Sequence, residues 1–174
     1  MPATPDELFA ALDALGIKHT TVKHPPVFTV EQAASLRGEV PGGHTKNLFL
    51  KDRKGGLWLV CALSEATIDL NALAKALGVQ RFSFAAADLM RDALGVTPGS
   101  VTVFALINDK LNRVALVLDR NLLVVDPVNF HPLRNDATTS ISPPGLIRFL
   151  EETGHRPLIV DFADGPRVIG DPAH

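Results

Sequence analysis

Gly42-Gly43-His44-Thr45-Lys46-Asn47-Leu48-Phe49-Leu50-Lys51-Asp52 is a glycine-hinged entry into a strand that begins polar and turns apolar. Leu48, Phe49 and Leu50 can bury in a sheet and hold rigid the polar residues before them: an imidazole, a hydroxyl, an ammonium and an amide in succession. Composition alone allows a second reading, in which Lys46 and Asn47 are solvated residues at a strand end. Lys51-Asp52-Arg53-Lys54-Gly55-Gly56 separates this run from another apolar one, Leu57 to Leu63. The pair predicts a hairpin with Lys46 on its first strand.

Upstream, Thr4-Pro5-Asp6-Glu7 predicts a capped helix carrying Leu8, Leu12 and Leu15 on one face and closed by Gly16. Lys18 to Val27 predicts a short strand running into the rigid His24-Pro25-Pro26 loop. Thr29-Val30-Glu31-Gln32 predicts a second capping box, with Gly38 as the stop. Downstream, helices are expected from Asp69 to Gly78 and from about Ala86 to Leu94, with a short strand at Phe82-Ser83-Phe84 between them. Val101 to Ile107, Val114 to Leu118 and Leu122 to Val125 predict a meander. Ser142-Pro143 opens a last helix that Gly154 ends, Pro157 to Phe162 is a final strand, and 163–174 is expected to be a mobile tail. Hairpin-linked strands with helices between them favour an α/β chain of the α+β type, with a mixed, mostly antiparallel sheet covered by helices.

A chain of 174 residues suits one domain, with a core over about 4–162. Hydrophobic residues at 46% and charged residues at 21% fit a folded globular chain. Cys61 is the single cysteine, which leaves no intrachain disulfide and fits a reducing, cytoplasmic compartment. No apolar run approaches a membrane span, and no secretory pattern opens the chain. A net charge of −2 speaks against a general nucleic-acid coat, DNA included, but leaves room for a local basic patch.

Several chemistries lack sequence support. His19, His24, His44, His131, His155 and His174 show no zinc-type spacing, so no metal site is expected. Cys61 sits in an apolar strand, where a thiol is commonly a small core residue. Ser64 and Ser100 lack a nucleophile elbow, and neither a P-loop nor a dinucleotide fingerprint is present, so no cofactor is expected. Gly95-Val96-Thr97-Pro98-Gly99-Ser100 reads as helix-to-strand punctuation, or as a loop whose backbone can approach a ligand closely.

Three segments together carry a resemblance: His44 to Asp52, Gly95 to Ser100, and Val128-Asn129-Phe130-His131-Pro132-Leu133 with the following Asn135-Asp136-Ala137-Thr138-Thr139. They resemble the YbaK/ProX family of free-standing aminoacyl-tRNA editing domains, and within it the alanyl-tRNA(Pro) deacylases. The resemblance covers roughly residues 4–162 and implies a curved, barrel-like sheet with helices around it. It also implies hydrolysis of the ester joining a mischarged amino acid to tRNA, most simply alanine on tRNA(Pro), by water and without a covalent intermediate. Lys46 would then be the catalytic electropositive group. Asn47 and His131 would orient the substrate beside Thr45, and Gly95, Thr97, Pro98, Gly99 and Ser100 would grip the aminoacyl group. The proline here follows Gly95 by three residues, where the family's loop has four. Phe28, Val30 and Leu48 read as pocket wall or core, and His24 as loop support. The implied partner is the acceptor end of tRNA(Pro), with prolyl-tRNA synthetase the candidate protein partner. A cysteinyl-tRNA(Pro) deacylase and a non-catalytic acceptor-end binding module remain the alternatives.

Overall fold

The computed structural model describes residues 1–26 and 30–170. Thr4 caps α1 (Pro5–Ala14) through the expected box: its hydroxyl accepts from the Glu7 amide, and the Glu7 carboxylate accepts from the Thr4 amide. Beyond Gly16 come β1 (His19–Lys23), α2 (Val30–Glu39) and β2 (Gly43–Lys51). Gly38 lies inside α2 and is not its stop, because its φ is not among the positive ones that end a helix. Thr29, the expected cap, lies outside the described residues.

β2 turns back into β3 (Leu57–Leu63) as the apolar pattern predicts. Asp52 ties the turn, accepting from the Lys54 and Gly56 amides at 2.9 Å each and from Trp58 Nε1 at 3.0 Å, while Gly55 takes a φ of +88°. The Trp58 bond is the main cause holding the Asp52 carboxyl below its ordinary pKa. Asp69 caps α3 (Leu70–Leu77), β4 (Ser83–Phe84) follows, and Gly95 in left-handed conformation ends α4 (Ala87–Leu94).

The meander is where the structure departs from the sequence pattern. Val103–Asn108 and Arg120–Leu123 are 3₁₀ turns, and only the middle run is a strand, β5 (Val114–Asp119). Val103, Phe104, Ala105 and Leu106 are all buried. A run buried on every side has no alternation by which to tell a strand from a helical turn. The caps decide: the Thr102 hydroxyl accepts from the Phe104 amide, and the Asp119 carboxylate accepts from the Asn121 amide. β6 (Val128–Phe130) and β7 (Ala137–Ile141), two strands the apolar pattern does not predict, precede the expected α5 (Pro143–Thr153) and β8 (Pro157–Asp161). Part of the expected mobile tail is instead ordered as β9 (Arg167–Gly170), paired antiparallel with β8. Asp161, at the end of β8, is its anchor, bonding Arg167 and Arg120.

Among the described residues nine strands form one sheet in the order β1-β7-β6-β2-β3-β5-β8-β9, with β4 alongside β2. Five pairings are antiparallel and three, β2/β6, β3/β5 and β5/β8, are parallel. The mixed, mostly antiparallel sheet is therefore the one expected. Alternate residues of β2 enter different cores: Phe49 packs with Leu8, Leu94, Phe104 and Phe149, whereas Leu50 packs with Val60, Leu73, Val117 and Val160. That alternation fixes which way each polar residue at the start of β2 points. Among the described residues no helix is long and apolar enough to cross a membrane.

Candidate functional site

Residues 44–48 are all half-buried, the only such run of five in β2, and Phe49 and Leu50 behind them are buried. Lys46 pairs in register with Ala62 and shares its side of the sheet with Leu48 and Leu50. Its ammonium donates to the Ala66 carbonyl, in the turn that leaves β3. Among the described residues no carboxylate pairs with Lys46. Thus one of three N–H donors is spent on a backbone anchor, and the charge itself is uncompensated.

Thr45 and Asn47 point to the opposite side. The Thr45 hydroxyl donates to the Asn129 carbonyl at 2.7 Å, the Asn47 amide donates to the Thr45 hydroxyl at 3.4 Å, and Cys61 Sγ donates to Asn47 Oδ1 at 2.9 Å. The sequence sets Asn47 next to Lys46, but the pleat separates them, and Thr45 and Asn47 spend their polar atoms on the scaffold. Cys61 is fully buried, and burial pushes its thiol pKa up, so no thiolate is on offer at neutral pH.

Beyond β2, the Lys46 side of the sheet continues into β6 and β7. His44 pairs in parallel register with Asn129, and Asn129 pairs with Ser140, so these side chains share the Lys46 side. The ladder ends there: Lys46 stands two residues beyond it on β2, and His131 two residues beyond it just past the end of β6. His131 Nδ1 bonds the Ala137 carbonyl at 3.4 Å. Burial is the main influence on its pKa and lowers it, the Ala137 bond opposes that, and the nearby His24 charge adds to the lowering. His24 Nε2 bonds the Thr138 hydroxyl at 2.8 Å, and its backbone amide donates to the Asp136 carbonyl at 3.0 Å. Leu133, between His131 and its partner Ala137, adopts a φ of +68°, a strained backbone of the kind that marks functional loops.

The expected ligand loop divides in two. Gly95 belongs to the scaffold, because a Cβ there would come within 2.8 Å of both Asn108 Nδ2 and Pro2 Cβ. Thr97, Pro98 and Gly99 are exposed, while Ser100 is buried and closes a tight turn with its amide on the Thr97 carbonyl at 3.0 Å. Gly99, at a φ of +93°, faces Asn135, whose Nδ2 would lie 3.6 Å from an added Cβ. The exposed half of the loop therefore borders the segment holding His131, His24 and Thr138. Phe28 lies outside the described residues, and Val30 opens α2 with its side chain also outside them.

Sequence reasoning passed over Thr138, Asn129 and the Ala66 carbonyl. The Asn135-to-Thr139 run was a visible signal for Thr138, but the Ala66 anchor has none, since a backbone acceptor carries no residue identity.

Among the described residues, the chemistry available here is a half-buried cation with no paired carboxylate, a histidine of lowered pKa and a glycine-bearing loop. The chain matches the model of the aminoacyl-tRNA editing domain over residues 24–149. It is 43% identical over 165 residues to the prolyl-tRNA synthetase associated domain-containing protein 1 of Bos taurus, covering 90% of this chain and 96% of the relative. It is 36% identical over 149 residues to the prolyl-tRNA editing protein ProX of Acetoanaerobium sticklandii, covering 85% and 91%. Among solved structures, the hypothetical protein APE2540 superposes with a TM-score of 0.69 at 25% identity, covering 92% of this chain and 99% of that one. The chain belongs to the aminoacyl-tRNA editing domain family. It is accordingly an editing enzyme, an aminoacyl-tRNA deacylase.

Proposed function

We propose that this protein hydrolyses alanine mistakenly esterified to tRNA(Pro), acting in trans on the released aminoacyl-tRNA. The observation that supports a hydrolytic site of this kind is the uncompensated Lys46 ammonium on the same side of the sheet as the β6–β7 residues that lead to His131. An aminoacyl ester is already activated, so attack by a positioned water needs stabilisation of the tetrahedral oxyanion more than it needs a protein nucleophile. Water adds to the ester carbonyl and gives up a proton, the oxyanion forms beside Lys46, and collapse breaks the ester C–O bond and expels the ribose oxygen, which takes up that proton. His131, kept neutral by burial, serves as a hydrogen-bonding group for the substrate. The Thr97 to Ser100 turn holds the aminoacyl moiety. Thr45 and Asn47 act one step back, by fixing β2.

The preference for alanine rests on size. A synthetase pocket shaped for proline cannot strongly reject a smaller side chain, since missing methylenes are worth only about 1 to 3 kcal/mol of discrimination each, and a second, smaller sieve removes the error. The test assays Ala-, Cys-, Ser- and Pro-tRNA(Pro) side by side. We expect alanyl ester to be cleaved fastest and prolyl ester to be spared. Prolyl cleavage at a comparable rate ends the size argument, and a preference for cysteinyl ester assigns the enzyme to that substrate. Binding of every tRNA with cleavage of none leaves an acceptor-end binding module.

A further inference from the structure

A groove of about 610 Å³ opens where β1 and β7 meet the start of α5. Ser140 and Thr20, which pair across β1 and β7, line it, and Ser140 lies two residues along β7 from Thr138, on the same side of the sheet. The groove and the Lys46 site are therefore on one continuous face, with Ser140 and Thr138 roughly 7 Å apart along the strand. Its charge is one-sided. Among the described residues, Lys18, His19 and Arg148 line it and no aspartate or glutamate does, in a chain whose net charge is −2. Asp13, close by, is taken up by His19 at 2.8 Å. Lys18 and Arg148 pair with no carboxylate among the described residues. Arg148 Nε donates to the Leu15 carbonyl at 2.8 Å, which steadies the guanidinium and leaves its terminal nitrogens for another acceptor.

We propose that this groove is the track for the sugar-phosphate backbone of the single-stranded acceptor end, upstream of the nucleotide whose ester is cleaved, with Lys18 and Arg148 as its phosphate contacts. This rests on the reading of Lys46 as the ester site. A positively lined groove that holds backbone and leaves bases unread is how proteins bind single strands without sequence preference. It also accounts for tRNA recognition by an acidic protein: the basic residues needed are few and local.

The experiment compares wild-type protein with Lys18→Gln/Arg148→Gln and, as control, Lys110→Gln on another surface. The probe is a fluorescein-labelled single-stranded RNA hexamer ending in CCA. Loss of two phosphate contacts should weaken binding roughly tenfold at low salt and make the slope of log affinity against log salt shallower by about 1.4. On mischarged tRNA the loss should fall in KM and not in kcat. Hexamer affinity and salt slope equal to wild type in the double variant overturn the track, even if deacylation proceeds. Equal displacement of the hexamer by poly-glutamate overturns it too, assigning the groove to acidic chains at large. If the hexamer binds through Lys18 and Arg148 while no mischarged tRNA is hydrolysed, the track stands and the assignment of the Lys46 site falls.

Discussion

On one side of β2 the sheet continues through β3, β5 and β8, and on the other through β6, β7 and β1. The first wing is parallel at both β5 pairings and apolar on both faces: Leu116 and Leu118 enter one core, Val117 the other. The second wing is threaded with polar groups: Asn129, Thr138, Thr139 and Ser140 lie within it, each buried or half-buried and each hydrogen-bonded. Asn129 alone receives a bond from the Thr45 hydroxyl at its carbonyl and donates to the Pro41 and Gly43 carbonyls at 3.0 and 3.2 Å. On the reading proposed above, the first wing serves mainly the core and the chemistry sits at the margin of the second, with β2 belonging to both. Each substitution below should move one property and leave the other.

The largest effect is expected in the apolar wing. Leu118 is fully buried in β5, and Leu118→Ala should cost about 2 to 5 kcal/mol of stability through lost burial and the cavity left behind. The fraction that remains folded should deacylate normally. Denaturant unfolding monitored beside single-turnover rates checks this, and a rate loss at temperatures where the variant is fully folded would break the division between wings.

Lys46→Ala should do the reverse. Removing an electrostatic contributor to an oxyanion site costs about 3 to 4 kcal/mol, some two to three orders of magnitude in rate. The accompanying stability loss should stay near 1 kcal/mol, since only the bond to the Ala66 carbonyl disappears. Single-turnover hydrolysis of Ala-tRNA(Pro) decides, and a variant within threefold of wild type removes Lys46 from the mechanism.

His131 offers a pH handle on the polar wing. Burial lowers its folded-state pKa below the unfolded value near 6.5, so the unfolded chain binds the proton more readily. The contribution of neutral His131 to stability is thus complete above pH 6.5 and is lost as pH falls through the folded pKa. Wild type should lose melting temperature between pH 7 and 5 faster than His131→Asn does. The deacylation rate should decline over the same range, and the variant should be slower by about tenfold at neutral pH, the cost of one hydrogen bond to the substrate. Parallel acid profiles for the two proteins would show that His131 is not the titrating group.

How far this was legible in the sequence follows from what each residue type can signal. The β2–β3 hairpin, the capping box at Thr4 and the glycine ends at Gly78, Gly95 and Gly154 are local, and each was read correctly because its cause lies within a few residues. Val101 to Ile107 was misread as a strand because complete burial erases periodicity. The parallel placement of β5 between β3 and β8 depends on a crossover that no short pattern records. In the proposed site, Lys46 and His131 stand out in the sequence as polar residues at the ends of apolar runs. The orientation of Asn47 away from Lys46 follows from strand alternation and could have been drawn from the sequence. The bond from His24 to Thr138 spans 114 positions and could not.

The smallest effect is expected where the two wings meet. Cys61, Asn47 and Thr45 form a hydrogen-bonded chain on the core side of β2 and β3, ending on the Asn129 carbonyl of β6. If its task is to fix β2 and not to touch the substrate, cutting it at Cys61 should loosen the scaffold slightly. Cys61→Ala removes a weak S–H donor and one small buried atom, for an expected loss of about 1 kcal/mol in denaturant unfolding. The rate on alanyl ester should stay within twofold, because Lys46 and Cys61 lie on opposite sides of the sheet. The native thiol, buried and with its pKa pushed up, should resist a soluble disulfide reagent until the protein unfolds. Rapid labelling of the native protein, or a hundredfold rate loss in Cys61→Ala with stability intact, would move the chemistry to the core side of β2 and make Asn47 a substrate ligand after all.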